Sequence, residues 1–321
     1  MQRRTLLLAA ASLPLARQAA AQGWAPSRPI RLVVPFAPGG AADTIGRLIA
    51  EQLAAELGQP VTVENRPGGG TTIGALAVAR AAPDGHTLFY ATPNVQILNP
   101  YLMRTLPYDP ASDFTPIIAL ARAPKLLVVR PDFPAQDVAG LLEYARRKAD
   151  GLTYGSAGVA SSGHLAAAML GQMAGVEMLH VPFRGTAPAA REVMAGRVDF
   201  LIDNIATLLP LVREGALRAL AVSTAEPAAA VPDLPPVART LPGYHDASFN
   251  YLLAPAHMPP EIVARLNGTL NDILRSPVVR ARFALLGVEA VGGTPEELEA
   301  AVAEESRRWG AVIEKGRIRT E

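Results

Sequence analysis

The sequence predicts an α/β fold of two lobes joined by a hinge. Short apolar runs alternate with helix-period segments along nearly the whole chain. The turns that end those runs are rich in Gly, Ser, Thr and Asn. Two breaks divide the chain so that one lobe is built from both of its ends. The 321 residues have the length of about two domains.

The chain opens with MQRRTLLLAAASLPLARQAAAQ. Arg3 and Arg4 form a positive n-region, residues 5–16 are mostly Leu and Ala, and Ala19 and Ala21 fit a cleavage site before Gln22. Residues 1–21 are therefore expected to be a cleaved signal peptide, exported by the Sec or the twin-arginine route. The apolar stretch is shorter than the ~20 residues that span a bilayer.

Strands are expected at 30–36, 60–66, 87–93 and 125–131, then at 153–157, 178–183, 198–203, 217–223 and 249–256. Helical patterns lie between most of them, which argues for mostly parallel sheets flanked by helices. In the first helix, Ile45, Leu48, Ile49 and Leu53 fall on one face. Asp43 and Thr44 are expected as its N-cap and first turn. Met169, Leu170 and Met173 have ordinary core spacing. Three helices, broken near Pro277 and Pro295, close the chain. The Pro-rich stretch 224–244 reads as a surface excursion, and a second break falls at 121–125. One lobe is then 22–122 with 245–321 and the other 123–244, and two crossings make a hinge.

Composition narrows the function. Half of the residues are apolar and none is cysteine, which excludes disulfides, thiolate metal sites, a Cys nucleophile and a lipoprotein anchor. Residues 1–21 hold three arginines and no acid, so their removal moves the formal charge from +1 to −2. Nothing in that balance suits nucleic acid or an anionic membrane. The five histidines lack metal-ligand spacing, no cofactor motif is complete, and no Gly-x-Ser-x-Gly elbow is present.

In open α/β sheets, ligands bind beyond the carboxyl ends of the strands. Here those ends read PFAPGGAAD, YATPN, YGSAGVASSGH, VPFRGTA and IDNIA. Glycines admit close approach to the backbone, and helix starts leave N–H donors unpaired with partial positive charge. Several helix starts aimed at one cleft would hold a carboxylate without a lysine. Asp203 either accepts from a ligand donor or braces its loop, and Arg184 either pairs with an anion or covers the rim. His164 either touches a ligand or packs at a helix start, whereas His180 reads as core packing.

The motifs RPIRLVVPFAPGGAAD, LGQPVTVENRPGGGTTIGA, AAPDGHTL, LPYDPASDFTPI, LTYGSAGVASSGHLA, HVPFRGTAPA, GRVDFLIDN and LRALAVST occur in this order. In that combination the chain resembles the Bug-type substrate-binding receptors of tripartite tricarboxylate transporters. The resemblance implies a periplasmic, two-lobed type II binding-protein fold that closes on a small carboxylate, with no cofactor and no catalysis. It implies a monomer that delivers its ligand to integral membrane subunits. By match, the site would draw on Phe36, Pro38, Gly39, Gly40 and Asp43, then Gly70, Thr71, Thr72 and Thr92. It would continue through Ser156, Ala157, Gly158, Ser161 and Ser162 to Asp203 and Asn204, and His164 and Phe183 are further candidates for ligand contact. Asp203 and Asn204 would read the part of the ligand distal to PFAPGG. The chain departs from the family pattern at Thr71 and Thr72, at His86, and at Phe249, Asn250 and Tyr251. A second reading is a secreted α/β hydrolase using Ser156, Ser161 or Ser162.

N-terminal sequencing of exported protein is expected to begin near Gln22; recovery of intact Met1 from a membrane fraction would contradict this.

Overall fold

The computed structural model describes residues 24–148 and 151–319. The expected signal peptide lies outside the described residues. The first part of the chain runs β1 (Ile30–Val34), α1 (Ala41–Leu57), β2 (Val61–Asn65), α2 (Thr72–Ala79), β3 (Thr87–Ala91) and α3 (Asn99–Leu102). A long strand, β4 (Phe114–Val129), follows. Next come α4 (Val138–Arg147), β5 (Leu152–Ser156), α5 (Ser162–Ala174), β6 (Met178–Pro182), α6 (Thr186–Met194), β7 (Phe200–Asn204), α7 (Ile205–Arg213) and β8 (Arg218–Val222). The chain then returns through β9 (Ala247–Pro255), α8 (Pro260–Arg275), α9 (Pro277–Leu285), β10 (Glu289–Gly292) and α10 (Pro295–Gly316).

The strands form one connected sheet in the order β2-β1-β3-β9-β4-β7-β5-β6, with β8 and β10 also on β4. Its ends are parallel: β1 pairs with β2 and β3, and β5 with β6 and β7. Its centre is antiparallel, where β4 meets β7, β8, β9 and β10 and β3 meets β9. Strand β1 shows why the apolar runs are continuous. Ile30, Leu32 and Val34 pack into one cluster with α1 and α8, while Val33 joins the cluster on the opposite face. A strand covered on both faces needs no polar alternation.

The expected break at 121–125 is instead the middle of β4. Residues 114–124 pair with β9, Lys125–Val129 pair with β7, and Leu126–Val129 pair with β8. Pro116, Pro124 and Arg122 make the stretch read as a break. The strand takes up its irregularities through register shifts at Pro116/Ile118 and Ala119/Ala121. The excursion 224–244 is anchored, not loose: Val237 and Tyr244 are fully buried, and Tyr244 Oη donates to Ala166 O at 3.2 Å. Met169 and Leu170 are buried as expected, but Met173 is exposed at the end of α5.

Helix α10 ties the two ends of the sheet together. Trp309, Val312 and Ile313 pack in the cluster that also holds Leu98 and Leu165. Gln172 Nε2 of α5 donates to Val312 O at 2.9 Å. Gly310 makes the close approach on the other side, because a Cβ there would lie 2.5 Å from Tyr101 Cζ. Gly310→Leu is expected to destabilise the protein by about 1–3 kcal/mol through overpacking against α3, read as a lower urea midpoint; an unchanged midpoint would show that α10 shifts freely.

Candidate functional site

Several helix starts converge on one cavity of about 380 Å³. Helix α1 contributes Gly40, Ala41 and Ala42, α5 contributes Ser161 and Ser162, and α7 contributes Asn204 and Ala206. The cap residues Gly40 of α1 and Asn204 of α7 supply no side-chain capping bond to the first N–H groups of those helices. Helix α5 is capped by Ser161, whose Oγ accepts from His164 N at 3.3 Å. Two hydroxyls in the wall, Tyr90 Oη and Thr92 Oγ1, are buried without a hydrogen-bond partner. Such groups carry a cost that a ligand oxygen can relieve. Apolar side chains, among them Phe36, Leu98, Leu286 and Trp309, complete the lining.

The loop before α1 is built from below. Asp43 Oδ2 accepts from Gly39 N at 2.9 Å and from Arg47 Nε at 2.9 Å, and Oδ1 accepts from Asn65 Nδ2 at 2.9 Å. Asn65 Nδ2 also donates to Phe36 O at 3.0 Å. Asp43 is thus neither the N-cap, which is Gly40, nor part of the cavity wall; it fixes the turn from inside the helix. The Arg47 bond, with those from Gly39 and Asn65, outweighs burial and lowers its pKa to about 2.

The expected site residues separate clearly. Phe36, Gly40, Thr92, Ser161, Ser162 and Asn204 line the cavity. Gly70 lies in a recess that shares Asn94 and Ser161 with it. Pro38 and Gly39 are exposed on the loop before α1. Thr71 and Thr72 are buried at the start of α2. Ser156, Ala157, Gly158 and His164 lie outside the cavity lining, and Phe183 packs beside the α6 cluster. His180 is not in the core. It sits half-buried on the edge strand β6, with Nε2 2.6 Å from Ser156 Oγ.

Asp203 is also outside the lining. It is buried beneath the first turn of α5, where a Cβ on Gly163 would lie 3.0 Å from Asp203 Oδ2. Its Oδ1 accepts from Asn204 N at 2.7 Å, and Oδ2 has no hydrogen-bond partner. Burial raises its pKa, against the Asn204 bond.

The sequence reading missed the floor. Lys125 and Asp246 line the cavity and form an ion pair, Nζ to Oδ2 2.6 Å, with side chains 1% and 2% exposed. Lys125 N also donates to Ser223 Oγ at 2.8 Å, and Asp246 N to Ser223 O at 2.8 Å. Lys125 falls at the start of an apolar run, and Asp246 just before another. A charged residue at the edge of an apolar run was the available signal. Among the described residues, no group of three or more His, Cys, Asp or Glu side chains could hold a metal ion.

The α/β fold, with a mixed sheet of two parallel ends around an antiparallel centre, is shared with solved periplasmic binding proteins, among them BugD at 32% identity and TM-score 0.76, covering 92% of this chain and 100% of that one. The chain belongs to the tripartite tricarboxylate transporter family receptors, whose family model matches residues 45–318. It is 31% identical to protein BugT of Bordetella pertussis (strain Tohama I), over 90% of this chain and 89% of BugT. Among solved structures it is similar to R. palustris Rpa4515 with adipate, at 39% identity and TM-score 0.80, covering 91% of this chain and 98% of that one. It is likewise similar to MatC (Rpa3494) from Rhodopseudomonas palustris with bound malate, at 37% identity and TM-score 0.75, covering 90% and 99%.

Removing one member of a buried ion pair leaves an uncompensated charge. Lys125→Met is expected to cost about 3–5 kcal/mol, while Lys125→Met with Asp246→Leu recovers most of that loss. Urea denaturation of the single and double variants checks this; a double variant as unstable as the single one would mean that the pair is not an isolated unit.

Proposed function

We propose that this chain is an extracytoplasmic receptor that binds a small carboxylate in the cavity and presents it to the membrane subunits of a tripartite transporter. The convergence of the α1, α5 and α7 starts on one cavity carries the reading. Backbone N–H groups and helix dipoles would hold the carboxylate, and the unpartnered Tyr90 and Thr92 hydroxyls would complete its contacts. Adipate in Rpa4515 and malate in MatC support a carboxylate as the ligand class.

Residues 22–122 with 245–321 would move as one lobe and 123–244 as the other, hinged where β4 passes Lys125 and where the chain passes Asp246. The protein would act as a periplasmic monomer after loss of residues 1–21, without catalysis. Against a hydrolase, Ser156 is fully buried, and Ser161 Oγ is engaged as the cap of α5, where it accepts from His164 N.

Gly40 gives the cleanest test. Its φ is −83°, and a Cβ there would meet only Ala37 O at 3.9 Å, so a side chain is tolerated by the fold and projects into open space. Gly40→Val is expected to weaken adipate or malate binding by ~10-fold or more, a change of about 1.4 kcal/mol, with little change in Tm. Calorimetry checks this; undiminished binding would make the loop a connector only.

A further inference from the structure

The wall formed by residues 159–161, at the cavity and its adjoining recess, stands on an imidazole. Ala160 has φ +59°, a backbone conformation that residues with a side chain rarely adopt. It is buried, and its N–H donates to His164 Nδ1 at 2.9 Å. Its neighbour Ser161 lines the cavity, and Val159, Ala160 and Ser161 line the adjoining recess. A ring nitrogen that accepts a hydrogen bond holds a lone pair, so the proton of neutral His164 sits on Nε2.

His180 lies flat on His164, with centroids 3.7 Å apart and planes at 9°. Its Nε2 meets Ser156 Oγ, which also contacts Gly158 N at 3.1 Å and Gly158 O at 2.9 Å. That contact accommodates either charge state of His180, because Nε2–H can donate to Oγ while the hydroxyl donates to Gly158 O. His164 has no such freedom. A proton on its Nδ1 would face the Ala160 N–H donor to donor.

The titratable and charged groups around His164 are of both signs. Tyr154 of β5 and His180 of β6 flank it, and Asp203 of β7 lies beneath its neighbour Gly163. Glu177 and Lys315 line the recess on its outer side, and Arg308 of α10 reaches α5 at Met169. The ring also sits in the first turn of α5, where the helix dipole disfavours positive charge. Burial, then His180, lowers its pKa from 6.5 to about 4.

We propose that His164 is a positioning residue for the ligand site: as the neutral Nε2–H tautomer it holds Ala160 in its left-handed conformation and so sets the wall at 159–161, which protonation of Nδ1 releases. The consequence for ligand binding rests on the receptor reading; the tautomer and its hold on Ala160 do not.

The test therefore has two arms. In the first, the ring nitrogens of His164 and the Ala160 amide of the mature protein are followed by NMR without ligand from pH 8 downward. The expected result is an unprotonated Nδ1 at neutral pH and an Ala160 amide that loses its hydrogen-bonded shift in step with titration of that nitrogen. A protonated Nδ1 at pH 7, or an amide indifferent to the titration, would overturn the proposal.

In the second arm, calorimetry at pH 7 compares His164→Asn, whose Oδ1 can stand in for Nδ1, with His164→Leu, which has no acceptor. His164→Asn is expected to bind adipate within about threefold of the unsubstituted protein, and His164→Leu at least ~10-fold more weakly. Equal affinity of all three would overturn the positioning role. Failure of the unsubstituted protein to bind adipate or malate would count against the receptor reading, and the NMR arm would still decide the claim about His164. If His164→Leu does not fold, the NMR arm and His164→Asn carry the decision.

Discussion

The ion pair between Lys125 and Asp246 is the constraint on which the rest of the molecule depends. The chain passes between the two ends of its sheet at Lys125, inside β4, and again at Asp246, just before β9. Both side chains are almost wholly buried, and Ser223 ties both backbones together. Two charges removed from water at one point hold that point strictly, because any displacement leaves each without its partner. The cavity lies directly over this junction, so the two halves of its wall have a fixed origin.

That arrangement explains how an anion site can do without a free cation. Lys125 is the one cationic side chain among the described residues of the lining, and its charge is already matched by Asp246. In the proposed reading, attraction for a carboxylate would fall to the starts of α1, α5 and α7. Each helix start contributes about 0.3–1 kcal/mol, and a hydrogen bond to a charged group about 1.5–3 kcal/mol. Contributions of that size add up to firm binding only while all the starts point at the same place. The bracing beneath them is therefore as important as the donors. Asp43 holds Gly39 and Asn65 beneath the first wall, and His164 holds Ala160 beneath the second.

Much of this was legible in the residues. Continuous apolar runs gave the strands, because β1 and β3 are covered on both faces. Gly- and Ser-rich strand ends gave the helix starts that meet at the cavity, including Gly40, Ser161 and Asn204. Three features were hidden for physical reasons. β4 carries two prolines and an arginine, which local propensity reads as a break, yet pairing with β9 overrides propensity. Asp43 reads as a cap because capping acids and bracing acids share a position in sequence; only the distant Asn65 tells them apart. Lys125 and Asp246 are 121 residues apart, and no periodicity links two side chains that meet only when the chain recrosses.

A receptor must also let go. A free buried ammonium would bind a carboxylate strongly and would lose its partner on release, leaving a bare charge in a desolvated pocket. Here the pocket's charged residues, Lys125 and Asp246, are paired with each other and need no ligand to match them. In the proposed reading, what a ligand would leave behind on departure are N–H groups at helix starts and the Tyr90 and Thr92 hydroxyls, all of which water can satisfy. The empty and occupied cavities therefore differ by hydrogen bonds exchanged with solvent and not by an orphaned charge. That keeps the difference in free energy between them small enough to reverse, which is what delivery to a transporter requires.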